Sequence, residues 1–452
     1  MRVDLERRDT ENDTPPPDGA TTTTRGAGWW HEVAREVLAR CDALGAITEQ
    51  PGIVLRRSLT RAHADANALV ASWMREAGLA VRVDALGNVI GRREGPTRDA
   101  RTLMIGSHLD TVRDAGKYDG PLGVLAGIVI ARALRDEALP FALEVVGFSD
   151  EEGVRFGRPF LGSRAIAGSF ALEDLALRDA DGTTLGDAIR AFTAHDGSIE
   201  DEIARAAIDP RSVRAFLEIH IEQGPVLESV DAPLGVVTGI AGQTWQTLRL
   251  EGRAGHAGTT PLALRRDALA GAAEIALMVE AHAHATPGLV ATVGRIDAHP
   301  GGHNVIAGSA TMQLDVRAVD GAVLDRALDE IHARAESIAS RRSLRLAREM
   351  RLRQAPVICD ATLRELLARS IADAGLPVFS LPSGAGHDAR ILAAIAPVAM
   401  LFVRSPDGLS HHPDERAHEG DVARALEVGC AWVRAIADGD RATARTTEGG
   451  SR

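Results

Sequence analysis

The sequence predicts an α/β protein whose main domain is discontinuous, interrupted by a smaller α+β insertion. Three observations carry this. Strand-like apolar runs alternate with helical periodicity from Trp29 to about residue 228, the rhythm changes over 229–346, and the first rhythm returns over 347–437.

Taken in order, Trp30, Val33, Val37, Leu38 and Leu44 recur at helical spacing, and a second amphipathic helix runs through Leu69, Val70, Trp73, Met74 and Ala77 to a stop at Gly78. Alternation through Val81 and Val83 suggests a strand. Leu103 to Ile105 and Leu143 to Phe148 read as buried strands on either side of a helix from about Gly123 to Asp136. Over 229–346 the pattern is strand (246–251), helix (264–279), two strands (289–293 and 310–316) and helix (324–339). A helix over 360–374, a strand over 397–403 and a closing helix over 421–437 then resume the α/β pattern. Residues 1–28, with their Pro and Thr run, and 438–452 are too polar to bury apolar area and are expected to be disordered. No repeat of solenoid period is present.

The composition narrows the function. With 452 residues, 45% hydrophobic and 25% charged, the chain can build more than one core. A formal charge of -12 opposes a nucleic-acid partner, which draws on clustered positive charge. Three scattered cysteines, Cys41, Cys359 and Cys430, encode neither a disulfide framework nor a thiolate zinc site. Without an apolar leader or a spanning run, a cytoplasmic location with no membrane partner is expected.

Chemistry concentrates after the strands, where open α/β sheets bind ligands. His108 ends an apolar run, and Asp110, two residues on, could accept the second imidazole N–H and fix its tautomer; a lone H-x-D, taken by itself, is more often a satisfied structural histidine at a strand end. Asp119 lies in a turn-rich loop before a helix, where a capping role would suffice. Glu151 and Glu152 are adjacent carboxylates that repel unless a cation neutralises them, leaving one free as a proton acceptor; a solvated acidic turn is the bland alternative. His220 and His411 complete a set of nitrogen and oxygen donors sufficient for two divalent ions, Zn²⁺ or Mn²⁺, sharing one carboxylate.

Eight strings then occur in a telling order: G-S-H-L-D-T, K-Y-D-G-P-L-G-V, F-S-D-E-E-G-V-R-F with L-G-S-R, H-I-E-Q-G-P-V-L-E, G-H-A-G-T-T-P, N-V-I, G-A-G-H-D-A and S-H-H-P-D-E. Together they resemble the amidase branch of the M20 metallopeptidase clan, with its allantoate amidohydrolases and N-carbamoyl-L-amino-acid hydrolases, from Trp29 to Ala437. The resemblance implies that His108 and His220 hold one metal, Glu152 and His411 the other, that Asp119 bridges them, and that Glu151 is the general base, with Asp110 supporting the catalytic set. It implies that the insertion is a dimerisation and lid domain moving on hinges near Ser229 and Leu346. His256 would stabilise the oxyanion in the neighbouring subunit of a homodimer, with Asn304 beside it. Arg317 would grip a substrate carboxylate, although it could equally be a surface strand charge. Gln223 and His387 would line the pocket, and Gly384, Ala385 and Gly386 could offer backbone amides to an anion.

The implied substrate is a small ureido or carbamoyl compound bearing a carboxylate. The acidic-cluster and H-I-E-Q-G strings look closest to allantoate enzymes of purine nitrogen recovery, which release ammonia and carbon dioxide. Trp245 departs from that pattern and looks more like an N-carbamoyl-L-amino-acid or β-ureidopropionate hydrolase. A different class, a metal-dependent binding homologue without catalysis, would have no use for a free Glu151.

Overall fold

The computed structural model describes residues 25–193 and 197–449. Among the described residues, nine strands form the larger sheet. Its central strands Ala142–Phe148, Thr102–His108, Val213–Ile221 and Val398–Val403 lie side by side and parallel. Antiparallel Val89–Arg93 and Ala80–Val83 extend one side, and Leu234–Ile240, which pairs with Val357–Ile358 and Ser380–Ser383, extends the other.

The central strands are apolar throughout because both faces are covered. Leu103 and Ile105 pack into one core with Trp30, Val37, Leu125 and Trp432 from the helices Ala27–Gly45, Pro121–Ala133 and Glu419–Gly449. Met104, one position out of phase, packs on the opposite face with Phe148, Phe216 and Phe402.

The second sheet has four antiparallel strands in the order Arg345–Gln354, Gly242–Glu251, Ser309–Ala318 and Leu289–His299. Leu248, Leu250, Met312 and Leu314 point to one face, where Ile275 and Ile331 of the helices Ala268–Ala285 and Gly321–Arg341 complete a separate core. The other face carries the exposed Trp245 and Val290, which line a cavity.

Several boundaries differ from expectation. Helix 264–279 is displaced to Ala268–Ala285 because the Asp267 side chain caps the Ala270 N–H, while Leu262–Leu264 forms a short turn with both leucines exposed. The chain passes between sheets at Ala241 and Ala355, since Leu234–Ile240 belongs to the larger sheet and Arg345–Gln354 to the smaller. These points lie inward of 229 and beyond 346. The disordered tail expected from Asp438 is corrected over 438–449, where the last helix continues to Gly449; Asp440 accepts a paired contact from Arg214 that ties it down. Residues 27 and 28 are likewise helical, whereas 1–24 and 450–452 lie outside the described residues. Among the described residues, no helix is long and apolar enough to cross a membrane. All three cysteines are buried and unpaired.

Candidate metal centre

Parallel strands end at a common edge, and that edge collects the predicted donors. His108 closes the strand Thr102–His108, and His220 stands in the neighbouring Val213–Ile221. Glu151 and Glu152 follow Ala142–Phe148 on the other side of His108, and His411 follows Val398–Val403 beside the strand of His220. Asp119 precedes the helix Pro121–Ala133, where Gly120 turns at φ 86° and a Cβ would lie 2.6 Å from the His108 ring. Only glycine meets both demands. Asp150, Gln223 and His411 hold φ values of 61°, 59° and 54°, so non-glycine backbone strain gathers at this edge.

The imidazole tautomers are fixed by backbone carbonyls. His108 Nδ1 donates to the Asp110 carbonyl at 2.9 Å and His220 Nδ1 to the Ile221 carbonyl at 2.8 Å. Each Nε2 is therefore left as a lone-pair donor to a metal. The two Nε2 atoms stand 3.5 Å apart and lie 3.5 and 3.1 Å from Asp119 Oδ1. Among the described residues, that buried oxygen has no hydrogen-bond partner. Lone pairs facing one another in a desolvated site repel, and a cation among them removes the penalty, so this donor set fits a divalent ion.

Asp119 Oδ2 faces the other way, 3.1 Å from His411 Nε2, which is 3.2 Å from Glu152 Oε1. The carboxylate thus belongs to two donor groups, His108–Asp119–His220 and Asp119–Glu152–His411. Glu151 adjoins both, grouped with His108 and Glu152. Donors restricted to nitrogen and oxygen suit Zn²⁺ or Mn²⁺.

The electrostatics divide the carboxyls. Burial opposes charge on Asp119, yet His108, His220 and His411, when protonated and so supplying the positive charge a cation would otherwise bring, hold it well below the ordinary aspartate range. Burial displaces Glu151 upward against the pull of His108, and Glu152, Asp388 and Asp110 add to the rise. A carboxyl so placed can both take and return a proton.

Asp110 departs from its expected role. Its carboxylate approaches His108 Nδ1 only to 3.8 Å, because the carbonyl of Asp110 itself takes that proton. Its two oxygens instead accept the backbone N–H groups of Glu151 and Glu152, each at 3.1 Å.

Gln223 joins the cluster directly, donating Nε2 to Asp119 Oδ2 at 2.8 Å. His387 is buried behind His220, rings 4.6 Å apart, with Nε2 2.7 Å from Ser383 Oγ. Gly384 accepts Arg317 Nη1 through its carbonyl at 2.6 Å, and Arg317 is also paired with Asp315. The Ala385 N–H is already given to Ser383 Oγ, and a Cβ on Gly386 would meet the Phe160 ring at 2.9 Å, so this turn is shaped by packing. Among the described residues, His256 belongs to none of the donor groups, and Asn304 is its neighbour. They sit together on an exposed ribbon in which His256 pairs with Val305 and the Asn304 carbonyl accepts the Ala257 N–H.

Supporting residues were not separable from sequence. Glu415 accepts the N–H groups of Tyr118 and Asp119 at 2.9 and 3.1 Å, and Ser410 Oγ lies 3.1 Å from both Glu415 Oε2 and Asp119 Oδ2, able to donate to either. Glu415 ends S-H-H-P-D-E, but nothing local marks it as the anchor of a loop almost 300 residues away. Glu218, in the strand of His220, accepts the Ala389 N–H at 2.8 Å.

The family model of peptidase family M20/M25/M40 matches residues 104–435. The chain is 44% identical over 400 residues to an N-carbamoyl-L-amino acid amidohydrolase of Geobacillus stearothermophilus, covering 88% of this chain and 97% of that one. It is 37% identical to a probable allantoate deiminase of Oryza sativa subsp. japonica, covering 88% and 87%. A crystal structure of a hydantoinase/carbamoylase family amidase from Burkholderia ambifaria superposes with a TM-score of 0.82 at 35% identity, over 89% of this chain and 97% of that one. Donor geometry, matched family and relatives agree: the chain belongs to the M20 peptidase family, as a metal-dependent hydrolase of amide C–N bonds.

Proposed function

We propose that this hydrolase cleaves the carbamoyl C–N bond of a small carboxylate-bearing ureido compound, using two divalent ions. The observation that carries the reading is the Asp119 carboxylate, each of whose oxygens faces a different donor group, with Glu151 alongside. His108, Asp119 and His220 would hold one ion and Asp119, Glu152 and His411 the other. Bound there, Zn²⁺ or Mn²⁺ would supply Lewis acidity toward the carbonyl and lower the pKa of water. Glu151 takes the proton as water adds to the carbamoyl carbon and returns it to the departing nitrogen. The carbamate product then decomposes to ammonia and carbon dioxide.

Arg317 is proposed to grip the substrate carboxylate with its planar fork, which requires it to exchange its pairing with Asp315 for the substrate. His256 and Asn304, exposed and remote from this chain's own donors, are proposed to serve the site of a second copy in a homodimer, the four-stranded unit acting as lid and contact surface. Stabilising the oxyanion from there would raise turnover more than affinity.

Two substrates remain in contention, and each has a supporting observation. The motif strings and the rice relative favour allantoate. A cavity of about 1260 Å³ between the sheets favours an N-carbamoyl-L-amino acid with an apolar side chain. It adjoins Gln223 and is walled by Trp245, which is 47% exposed, with Val290, Phe379 and Leu381. Against such a wall the second ureido group of allantoate would lose hydrogen bonds to water, at about 1–3 kcal/mol, so the geometry supports the carbamoyl amino acid better. Ammonia release should be compared on allantoate, N-carbamoyl-L-amino acids and β-ureidopropionate with added Mn²⁺ or Zn²⁺. Preference for an apolar N-carbamoyl-L-amino acid supports this reading, preference for allantoate restores the other, and turnover of none removes both.

A further inference from the structure

The four-stranded unit is joined to the rest by two chain crossings. Ala241 links the strands Leu234–Ile240 and Gly242–Glu251, and Ala355 follows Arg345–Gln354 just before Val357–Ile358. The crossings run together: Val357 pairs with Ile240, and a Cβ on Gly242 would lie 2.8 Å from Pro356. One buried side chain holds both. Arg390 Nη1 donates to the Ala355 carbonyl and Nη2 to the Ala241 carbonyl, each at 2.5 Å.

Arg390 ends a segment whose other members face the metal centre and the insertion. The Ser383 carbonyl accepts the Ala241 N–H at 2.9 Å, and the Gly384 carbonyl accepts Arg317. His387 packs on His220, and the Ala389 N–H reaches Glu218. A shift of either crossing is therefore felt within a few residues of His220. A guanidinium can span two carbonyls at once with its planar fork, whereas an ammonium on a flexible stem favours one.

We infer that Arg390 is a positioning residue: by pinning both crossings to the segment 383–390, it sets the angle at which the four-stranded sheet and Arg317 meet the metal centre. This goes beyond the choice of substrate and needs only that the chain hydrolyses an amide bond.

Arg390→Met and Arg390→Lys, made in the full chain, test it by hydrogen exchange, metal content and steady-state kinetics. Both variants should keep the parent's metal content and the parent's protection in strands 102–108 and 213–221. Arg390→Met should raise exchange at 239–243 and 354–358 together and lower kcat by roughly 10–100-fold, with KM changing alongside, as hinge substitutions do. Arg390→Lys should expose one crossing and lose less. Unchanged exchange at the crossings would overturn the inference, as would loss of folding or of metal in both variants, which would make Arg390 a plain core residue. Failure of the parent to hydrolyse ureido compounds would count only against the substrate reading, since the exchange measurement uses no substrate.

Discussion

The carboxylate of Asp110 holds the backbone of Glu151 and Glu152, one oxygen on each N–H at 3.1 Å, and leaves His108 to a carbonyl. The residue therefore aims two carboxylates at once, a donor in one cation group and the proposed base. Asp110→Asn replaces one acceptor oxygen by an NH₂ that would confront a backbone N–H. Turnover should fall by roughly 10–100-fold, the usual cost of losing a residue that orients metal-site groups, with metal content largely kept. Assay beside elemental analysis checks this, and unchanged turnover would return Asp110 to a passive role.

Glu151→Gln keeps the volume and the neighbouring donors but cannot take a proton. Turnover should fall by roughly 10²–10⁴-fold while the variant binds the parent's complement of metal. Full activity would remove Glu151 from the acid–base role.

The convergence of several donors was legible in the chain because His108 ends, and Glu152 and His411 follow, apolar runs that read as buried strands, and parallel strands deliver their ends to one edge. His108, Glu152 and His220 were readable for that reason. Asp110 was misread because period-two spacing places its side chain on the face of His108, but the chain leaves strand geometry after His108, so its carbonyl arrives first. The edge strand Arg345–Gln354 was missed because five of its ten residues are charged and its exposed positions hide the alternation. Long-range supports such as Glu415 and Arg390 carry no local signature, since their partners are set by packing across the sheet.

Gly116 offers a test of the loop that carries Asp119. A Cβ there would lie 2.2 Å from Glu415 Oε1 and 2.3 Å from Glu415 Cβ, with no room to retreat. Gly116→Ala should push Glu415 off the Tyr118 and Asp119 amides and weaken metal retention by roughly 10–100-fold in competition with a chelator. Retention equal to the parent's would show that Glu415 does not steady Asp119.

His63 sets an acid limit on stability. It is buried, accepts the Leu59 N–H at Nδ1 and, among the described residues, has no hydrogen-bond partner for Nε2. Burial, reinforced by Arg56, holds its pKa down to about 3 against an ordinary 6.5. Above pH 6.5 the ring is neutral in both folded and unfolded chains, and its contribution is fully present. As pH falls from there toward 3, the unfolded chain takes a proton that the folded one refuses, so stability drops by about 1 kcal/mol per pH unit. His63→Gln cannot titrate, and denaturant midpoints across this range should fall less steeply than in the parent. Parallel slopes would mean that His63 takes up its proton without unfolding.

The proposed centre is a pair of cations, shared through Asp119, on which five donors from separate segments converge. Its most direct test is elemental analysis of the active protein beside Asp119→Ala, in which the only carboxylate common to both groups is gone. The parent should hold two divalent ions per chain and lose activity as a chelator removes them, and Asp119→Ala should retain neither ion firmly. Full activity in a parent stripped of metal, or two ions held normally by Asp119→Ala, would contradict it.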